Sequence, residues 1–444
     1  MASPYSACCV LFLALAIVAL HVSPAVSTSR RVFVDWHEPE QGFRVMLKHV
    51  DSGKNLTKWE QIQRGIARGQ HRLQMLNAMV LAAVAGSGGV KAPVVAGDGE
   101  FLMYLSIGTP PKSYSAIMDT GSDLIWIQCK PCSQCYQQST PIFDPKKSST
   151  YAKLSCNNHL CKAIPQGTCG DDGCEYRYSY GDYSLTQGVM ATETLTFGKV
   201  LVPKIGFGCG EDNEGEGFTQ GAGLVGLGRG ALSLVSQLKE PKFSYCLTLF
   251  DGTQKSTLLM GSLARLNRTF GAVKTTPLIR NPLQPSFYYL SLNGISVGKT
   301  RLPIKKSSFA LRDDGTGGLI IDSGTTITYL EENAFRAVRK GFIKQMNLPL
   351  DTSGVTGLDL CFTLPSDTTK VKVPKLVFHF EGADLDLPAE NYMTSDSESG
   401  LICLTMGSSN GISIFGNIQQ QNMMVFHDLQ QQTVSFVQTQ CRKL

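Results

Sequence analysis

Two short strings, Asp119-Thr120-Gly121-Ser122 and Asp322-Ser323-Gly324-Thr325, limit what this chain can fold into. Each lies between apolar runs: Ala116-Ile117-Met118 and Leu124-Ile125-Trp126-Ile127 around the first, Leu319-Ile320-Ile321 and Ile327-Thr328-Tyr329-Leu330 around the second. The pattern places an aspartate at the end of a buried strand, with a glycine in the turn that follows. Its recurrence predicts a duplicated β-lobe, with one carboxylate from each copy in a cleft between them. Two carboxylates held face to face cannot both ionise freely, so they share a proton. Such a pair acts as general base and general acid in one step, which is what hydrolysis by an activated water needs.

The rest of the chain repeats the same theme. Phe101 to Gly108 before Asp119 is echoed by Tyr288 to Gly298 before Asp322, and Ala222 to Gly228 by Ile412 to Asn417. Short alternating segments with Gly, Ser and Asp breaks, such as Cys174 to Tyr180, Val189 to Phe197, Val371 to Phe380 and Thr433 to Val437, predict an all-β protein with brief helices at Ser233 to Leu238 and Glu331 to Gln345. The one long helical pattern is Trp59 to Val84, with Ile62, Ile66, Leu73, Met75, Leu76, Met79 and Leu81 at helical spacing. It is followed by a Gly/Val/Ala stretch, Ala85 to Gly97, read as a linker and processing region.

The N-terminus reads as a secretory signal over residues 1–27, with an apolar run from Cys8 to Leu20 and small residues at Ala25-Val26-Ser27. Residues 28–89 hold a surplus of four positive charges, so the net +5 leaves the main body nearly neutral, without a nucleic-acid footprint. A basic helical segment behind an export signal is expected to be a pro-segment, about 28–96; a small domain that stays attached is the alternative. Of the 14 cysteines, Cys8 and Cys9 fall in the signal, and eight of the remainder lie between 129 and 209. Cys129, Cys132 and Cys135 lack a histidine at finger spacing, which favours disulfides over zinc. Asn55-Leu56-Thr57 and Asn267-Arg268-Thr269 are glycosylation sequons. His159, His379 and His427 have no spacing that suggests a triad or a metal site.

At Asp119-Thr120-Gly121-Ser122-Asp123-Leu124-Ile125-Trp126 and Asp322-Ser323-Gly324-Thr325-Thr326-Ile327-Thr328-Tyr329-Leu330, the chain resembles the pepsin-like aspartic proteases, and more closely their nepenthesin-like plant branch, over residues 97 to 444. The resemblance implies a bilobal fold, with an N-terminal lobe at 97–275 carrying a Cys-rich insertion and a C-terminal lobe at 276–444. It implies that Asp119 and Asp322 form the catalytic dyad. Ser122 and Thr325 would orient the outer carboxylate oxygens, Thr120 and Ser323 would link the lobes beneath, and the N–H groups of Gly121 and Gly324 would favour the ionised carboxylates. Tyr180-Gly181-Asp182 matches the flap over substrate, with Tyr180 packed near Trp126. The implied disulfides are Cys129–Cys132, Cys135–Cys209, Cys156–Cys174, Cys161–Cys169, Cys246–Cys441 and Cys361–Cys403.

The activity so implied is a secreted acid endopeptidase, made as a zymogen, that acts on extended polypeptides as a monomer. It needs no metal or cofactor and has no nucleic-acid partner or stable membrane association. The location implied is the apoplast, with the vacuole as alternative. A catalytically silent binding or inhibitor-like protein on the same fold is the rival, and damage to one motif would favour it; both motifs are intact.

Overall fold

The structure, a computed structural model, describes residues 42–85 and 100–444 apart from 166, 172, 181–183, 250–254, 267–270, 366–370 and 397. The expected signal, residues 86–97 of the expected linker, Gly181 and Asn267 lie outside the described residues.

The described chain opens with β1 (Phe43–His49), in which Phe43, Val45 and Leu47 alternate inward and are buried. Their period of two was the signal for a strand in a region read only as helical. Next comes α1 (Lys58–Ala85). Thr57 and Glu60 form a reciprocal cap at its start: Thr57 N–H donates to Glu60 Oε2 at 2.7 Å, and Glu60 N–H to Thr57 Oγ1 at 3.1 Å. The main body then begins with β2 (Phe101–Ile107), β3 (Lys112–Asp119) and β4 (Ile125–Gln128).

The duplication is visible in the ladders. β3 runs parallel to Gly223–Gly226, with Asp119 opposite Gly226. In the second lobe Leu319–Ile321 runs parallel to Ser413–Phe415, with Ile321 opposite Phe415. In each lobe the inserted strand therefore sits between the strand before the turn, to which it is parallel, and the strand after it, to which it is antiparallel: β4 pairs with Gly223–Gly226, and Thr328–Glu331 with Ser413–Phe415. The lobes join where Lys242–Cys246 pairs antiparallel with Met423–Asp428. The N-terminal segment enters this same sheet, because β1 lies antiparallel between β2 and Ser256–Met260. Phe43 stacks on Phe197 with ring centroids 4.1 Å apart.

A one-turn helix, α2 (His159–Ala163), sits in the Cys-rich insertion, and α3 (Glu332–Gln345) packs on the second lobe with Glu331 accepting from Ala334 N–H at its start. Among the described residues, no helix is long and apolar enough to cross a membrane.

Six disulfides close the described cysteines, leaving none of them as a thiolate ligand. Cys246–Cys441 and Cys361–Cys403 are bonded as the resemblance implied. The other four pairings are corrected. Cys129 bonds Cys209 and Cys132 bonds Cys135, in place of Cys129–Cys132 and Cys135–Cys209. The reason is register: β4 runs parallel to Val200–Glu214, which brings the buried Cys129 beside the buried Cys209. Cys156 bonds Cys169 and Cys161 bonds Cys174, in place of Cys156–Cys174 and Cys161–Cys169. Here burial sorts the partners. Cys161 and Cys174 face the insertion's small core, whereas Cys169 is exposed and Cys156 half-buried.

Candidate active site

The two Asp-Thr/Ser-Gly turns meet at the lobe boundary, and both aspartates are 2% exposed. Asp119 Oδ1 accepts from Gly121 N–H at 2.9 Å, and its Oδ2 from the Ser122 hydroxyl at 2.5 Å. Asp322 Oδ1 accepts from Gly324 N–H at 2.9 Å, and its Oδ2 from the Thr325 hydroxyl at 2.6 Å. Thr120 bridges the lobes: its hydroxyl donates to Asp322 Oδ1 at 3.1 Å and accepts from Ser323 N–H at 3.2 Å. Beneath them, Leu227 N–H donates to Asp119 O at 2.7 Å and Asn417 N–H to Thr325 O at 2.7 Å. Backbone just beyond the inserted strand of each lobe thus holds the turn of that lobe. All eight dyad and support residues read from the sequence converge here.

A third charged residue stands between the carboxylates, and the sequence did not single it out. Arg72 of α1 is 1% exposed. Its Nε donates to Asp322 Oδ2 at 2.7 Å, and NH2 donates to Asp119 Oδ1 at 2.7 Å and Asp322 Oδ1 at 3.1 Å. Gly121 and Gly324 make room for it: a Cβ on either would lie 2.7 or 2.8 Å from the guanidinium. Burial works against the charge on Asp322, but Arg72 outweighs it and, with Thr325 and Gly324, holds the carboxyl below its usual range. The guanidinium stands between the two carboxylates, where a shared proton would otherwise be.

Helix α1 is seated by its apolar face. Ile62, Ile66, Leu73, Met75 and Leu76 are buried against Tyr289, Ile320, Ile327, Tyr329, Ile412, Ile414 and Ile418 of the second lobe. Gly65 is where the helix comes closest, since a Cβ there would fall 2.7 Å from Thr326 Cγ2. A glycine inside a helix is costly unless something needs the space. Arg64-Gly65 and Arg68-Gly69, one turn apart, were the available signal for a helix pressed onto another backbone.

Tyr180, expected in the flap, is buried, and Trp126 Nε1–H donates to its hydroxyl at 2.7 Å. Phe218 completes this corner, edge-on to Trp126 at 4.7 Å and to Tyr180 at 5.1 Å. It comes from the Gly-rich stretch after Glu214. The histidines read as structural lie apart: His427 is buried, stacked on Phe243, and His379 contacts Ser296 and Asp384.

Residues 101–262 match a family described as xylanase inhibitor N-terminal, and residues 287–438 one described as xylanase inhibitor C-terminal. Aspartic proteinase nepenthesin-1 of Nepenthes gracilis is 56% identical over 97% of each chain, and nepenthesin-2 of the same organism 52% identical over 99% of each. Aspartyl protease family protein 2 of Arabidopsis thaliana is 40% identical over 89% of this chain and 84% of its own length. Among solved structures, basic 7S globulin from soybean aligns with a TM-score of 0.60 at 20% identity, over 78% of this chain and 95% of that one. That likeness concerns the fold.

Proposed function

The chain belongs to the nepenthesin-like aspartic proteinases of plants, and we propose that it is a secreted acid endopeptidase, made as a zymogen, whose water nucleophile is activated between Asp119 and Asp322. The observation that carries the reading is Arg72. A cation from an N-terminal helix that binds both carboxylates, while the helix fills the space above them, is what a self-inhibited precursor requires.

Once Arg72 leaves, the two carboxylates share one proton. The ionised member takes a proton from a water lying between them, and that water attacks the scissile carbonyl. The protonated member gives its proton to the carbonyl oxygen. Collapse of the tetrahedral intermediate breaks the C–N bond as the amine is protonated, and no covalent enzyme intermediate forms. Ser122, Thr325, Gly121 and Gly324 are occupied in orienting the carboxylates. Tyr180, held by Trp126, would cover the substrate backbone and exclude water.

The six disulfides support an oxidising destination, and exposed Asn55 is a suitable glycan acceptor. The test is cleavage of a denatured protein from pH 3 to 7, with and without pepstatin, by the wild type and Asp119→Asn. Acid-dependent cleavage that pepstatin blocks and the variant lacks is expected. A folded, processed wild type that cuts nothing at any pH would leave the silent binding protein as the better reading.

A further inference from the structure

Arg229 is placed unlike Arg68 and Arg72, which both meet carboxylates. Arg72 binds the dyad, and Arg68 donates from Nε and NH2 to Glu100 Oε1 and Oε2 at 3.0 and 3.3 Å. Half-buried Arg229 meets only neutral acceptors: NH1 donates to the carbonyls of Ile279 and Phe287, and NH2 to Gln432 Oε1. Among the described residues its Nε–H has no acceptor and no carboxylate pairs with it. Burial, with the Arg280 charge beside it, pulls this guanidinium below its usual range. A cation taken out of water without a counter-charge is costly.

Arg229 and Arg280 line a cavity of about 520 Å³ that draws on both lobes. Arg280 is exposed and makes no ion pair among the described residues. Ser236 adds a third donor: its Oγ accepts from the Ser233 hydroxyl at 3.0 Å, which leaves its own hydrogen unused. Among the described lining residues there is no aspartate or glutamate. The acids close by in sequence are engaged elsewhere, Glu240 with Lys242 and Asp428 with the N–H groups of Gln430 and Gln431. Pro282, Pro285 and Leu429 make the wall apolar. An inorganic oxyanion would fill only a small part of this space, whereas a few convergent donors in an apolar hollow suit an organic ligand.

We propose that this cavity is a binding site for a small organic acid, an ionised carboxylate on a flat apolar body, held by Arg229, Arg280 and the Ser236 hydroxyl. Neither aspartate of the dyad lines it, nor does Trp126 or Tyr180, so it is a site apart from the substrate cleft. It is nevertheless joined to the dyad. Arg229 N–H donates to Ser286 O at 3.1 Å, and Gly228 N–H donates to Ser122 O at 2.8 Å. Ser122 in turn holds Asp119. A ligand shared by Arg229 and Arg280 ties the first lobe to the second at a point that also supports the Asp119 turn.

The test is a calorimetric titration of the full chain with benzoate at about pH 6, where the acid is ionised, at constant ionic strength. Benzoate should bind saturably and about tenfold tighter than acetate or sulfate, which carry the charge alone, or benzyl alcohol, which carries the ring alone. Arg280→Gln changes an exposed side chain, so the melting temperature without ligand should hold while benzoate binds about tenfold more weakly. Absence of saturable benzoate binding overturns the proposal. Acetate, sulfate or benzyl alcohol binding as tightly as benzoate overturns it too, and both results are read on wild type without any variant having to fold. Unchanged benzoate affinity in Arg280→Gln would place the ligand elsewhere and overturn it as well. No cleavage is measured, so the outcome is independent of the protease reading.

Discussion

Arg72 and Asp322 are joined by two hydrogen bonds, 2.7 Å from Nε and 3.1 Å from NH2, and the same NH2 reaches Asp119 at 2.7 Å. One guanidinium therefore holds both halves of the dyad. Replacing Arg72 with glutamine should leave two unneutralised carboxylates and weaken the seating of α1 by about 3–5 kcal/mol, the usual cost of breaking a buried pair. The expected outcome is a precursor that processes itself faster and at higher pH than wild type, read as loss of the full-length band on a gel. An unchanged half-time would show that Arg72 does not hold the enzyme in check.

The second ionic contact sets a pH window. Burial opposes the charge on Glu100, yet Arg68 and His49 hold its carboxyl down at about 2, from a usual value near 4.5. A depressed carboxyl stabilises the paired state above 4.5, and that stabilisation is lost as pH falls from 4.5 towards 2. The difference amounts to about 3 kcal/mol. Asp322, held below its usual range by Arg72, acts in the same direction. Arg68→Gln should therefore move the onset of processing to higher pH by about one unit. A profile identical to wild type across pH 3–6 would refute this.

Much of this site is legible in the chain, because a duplicated Asp-Thr/Ser-Gly turn needs buried strands on both sides and the apolar runs are there to be counted. Arg72 is not, because nothing in its composition separates it from the eight other Lys and Arg residues of the segment. Only the close approach of α1, written in Gly65 and Gly69, gave a hint. The four mispaired disulfides fail for a related reason. The resemblance implied those pairings and the sequence alone leaves the connectivity open, whereas β4 beside Val200–Glu214 decides that Cys129 and Cys209 are near in space. β1 was missed because seven alternating residues were read together with the helix that follows them.

Trp126 and Tyr180 are linked by a single hydrogen bond of 2.7 Å within an aromatic corner. Trp126→Phe keeps most of the packing and removes the donor, so the fold should persist with a loss of about 1 kcal/mol. Tyr180 would be less well held, and kcat/KM on a neutral peptide should fall about tenfold with the melting temperature little changed. Full activity in the variant would reduce Trp126 to a packing residue.

His427 is an acid-sensitive point in the sheet that joins the lobes. Burial, with no carboxylate beside it, pushes the imidazole down to about 3 from 6.5. A depressed imidazole leaves stability intact above 6.5 and erodes it as pH falls towards 3, by an amount of order 5 kcal/mol at the lower end. His427→Phe, stacked in the same place on Phe243, should melt at a higher temperature than wild type at pH 3.5 and close to it at pH 7. A gain of equal size at both pH values would point to packing rather than to proton uptake.

The position of β1 carries a different consequence. It is a middle strand, hydrogen-bonded on one side to β2 and on the other to Ser256–Met260, with Phe43, Val45 and Leu47 in the common core. Cutting the chain after α1 and discarding the segment removes that strand from a sheet already built around it. A matured molecule that later unfolds no longer carries the piece that bridged its two edges. Its working life is then set by how slowly it opens, not by how well it can fold again.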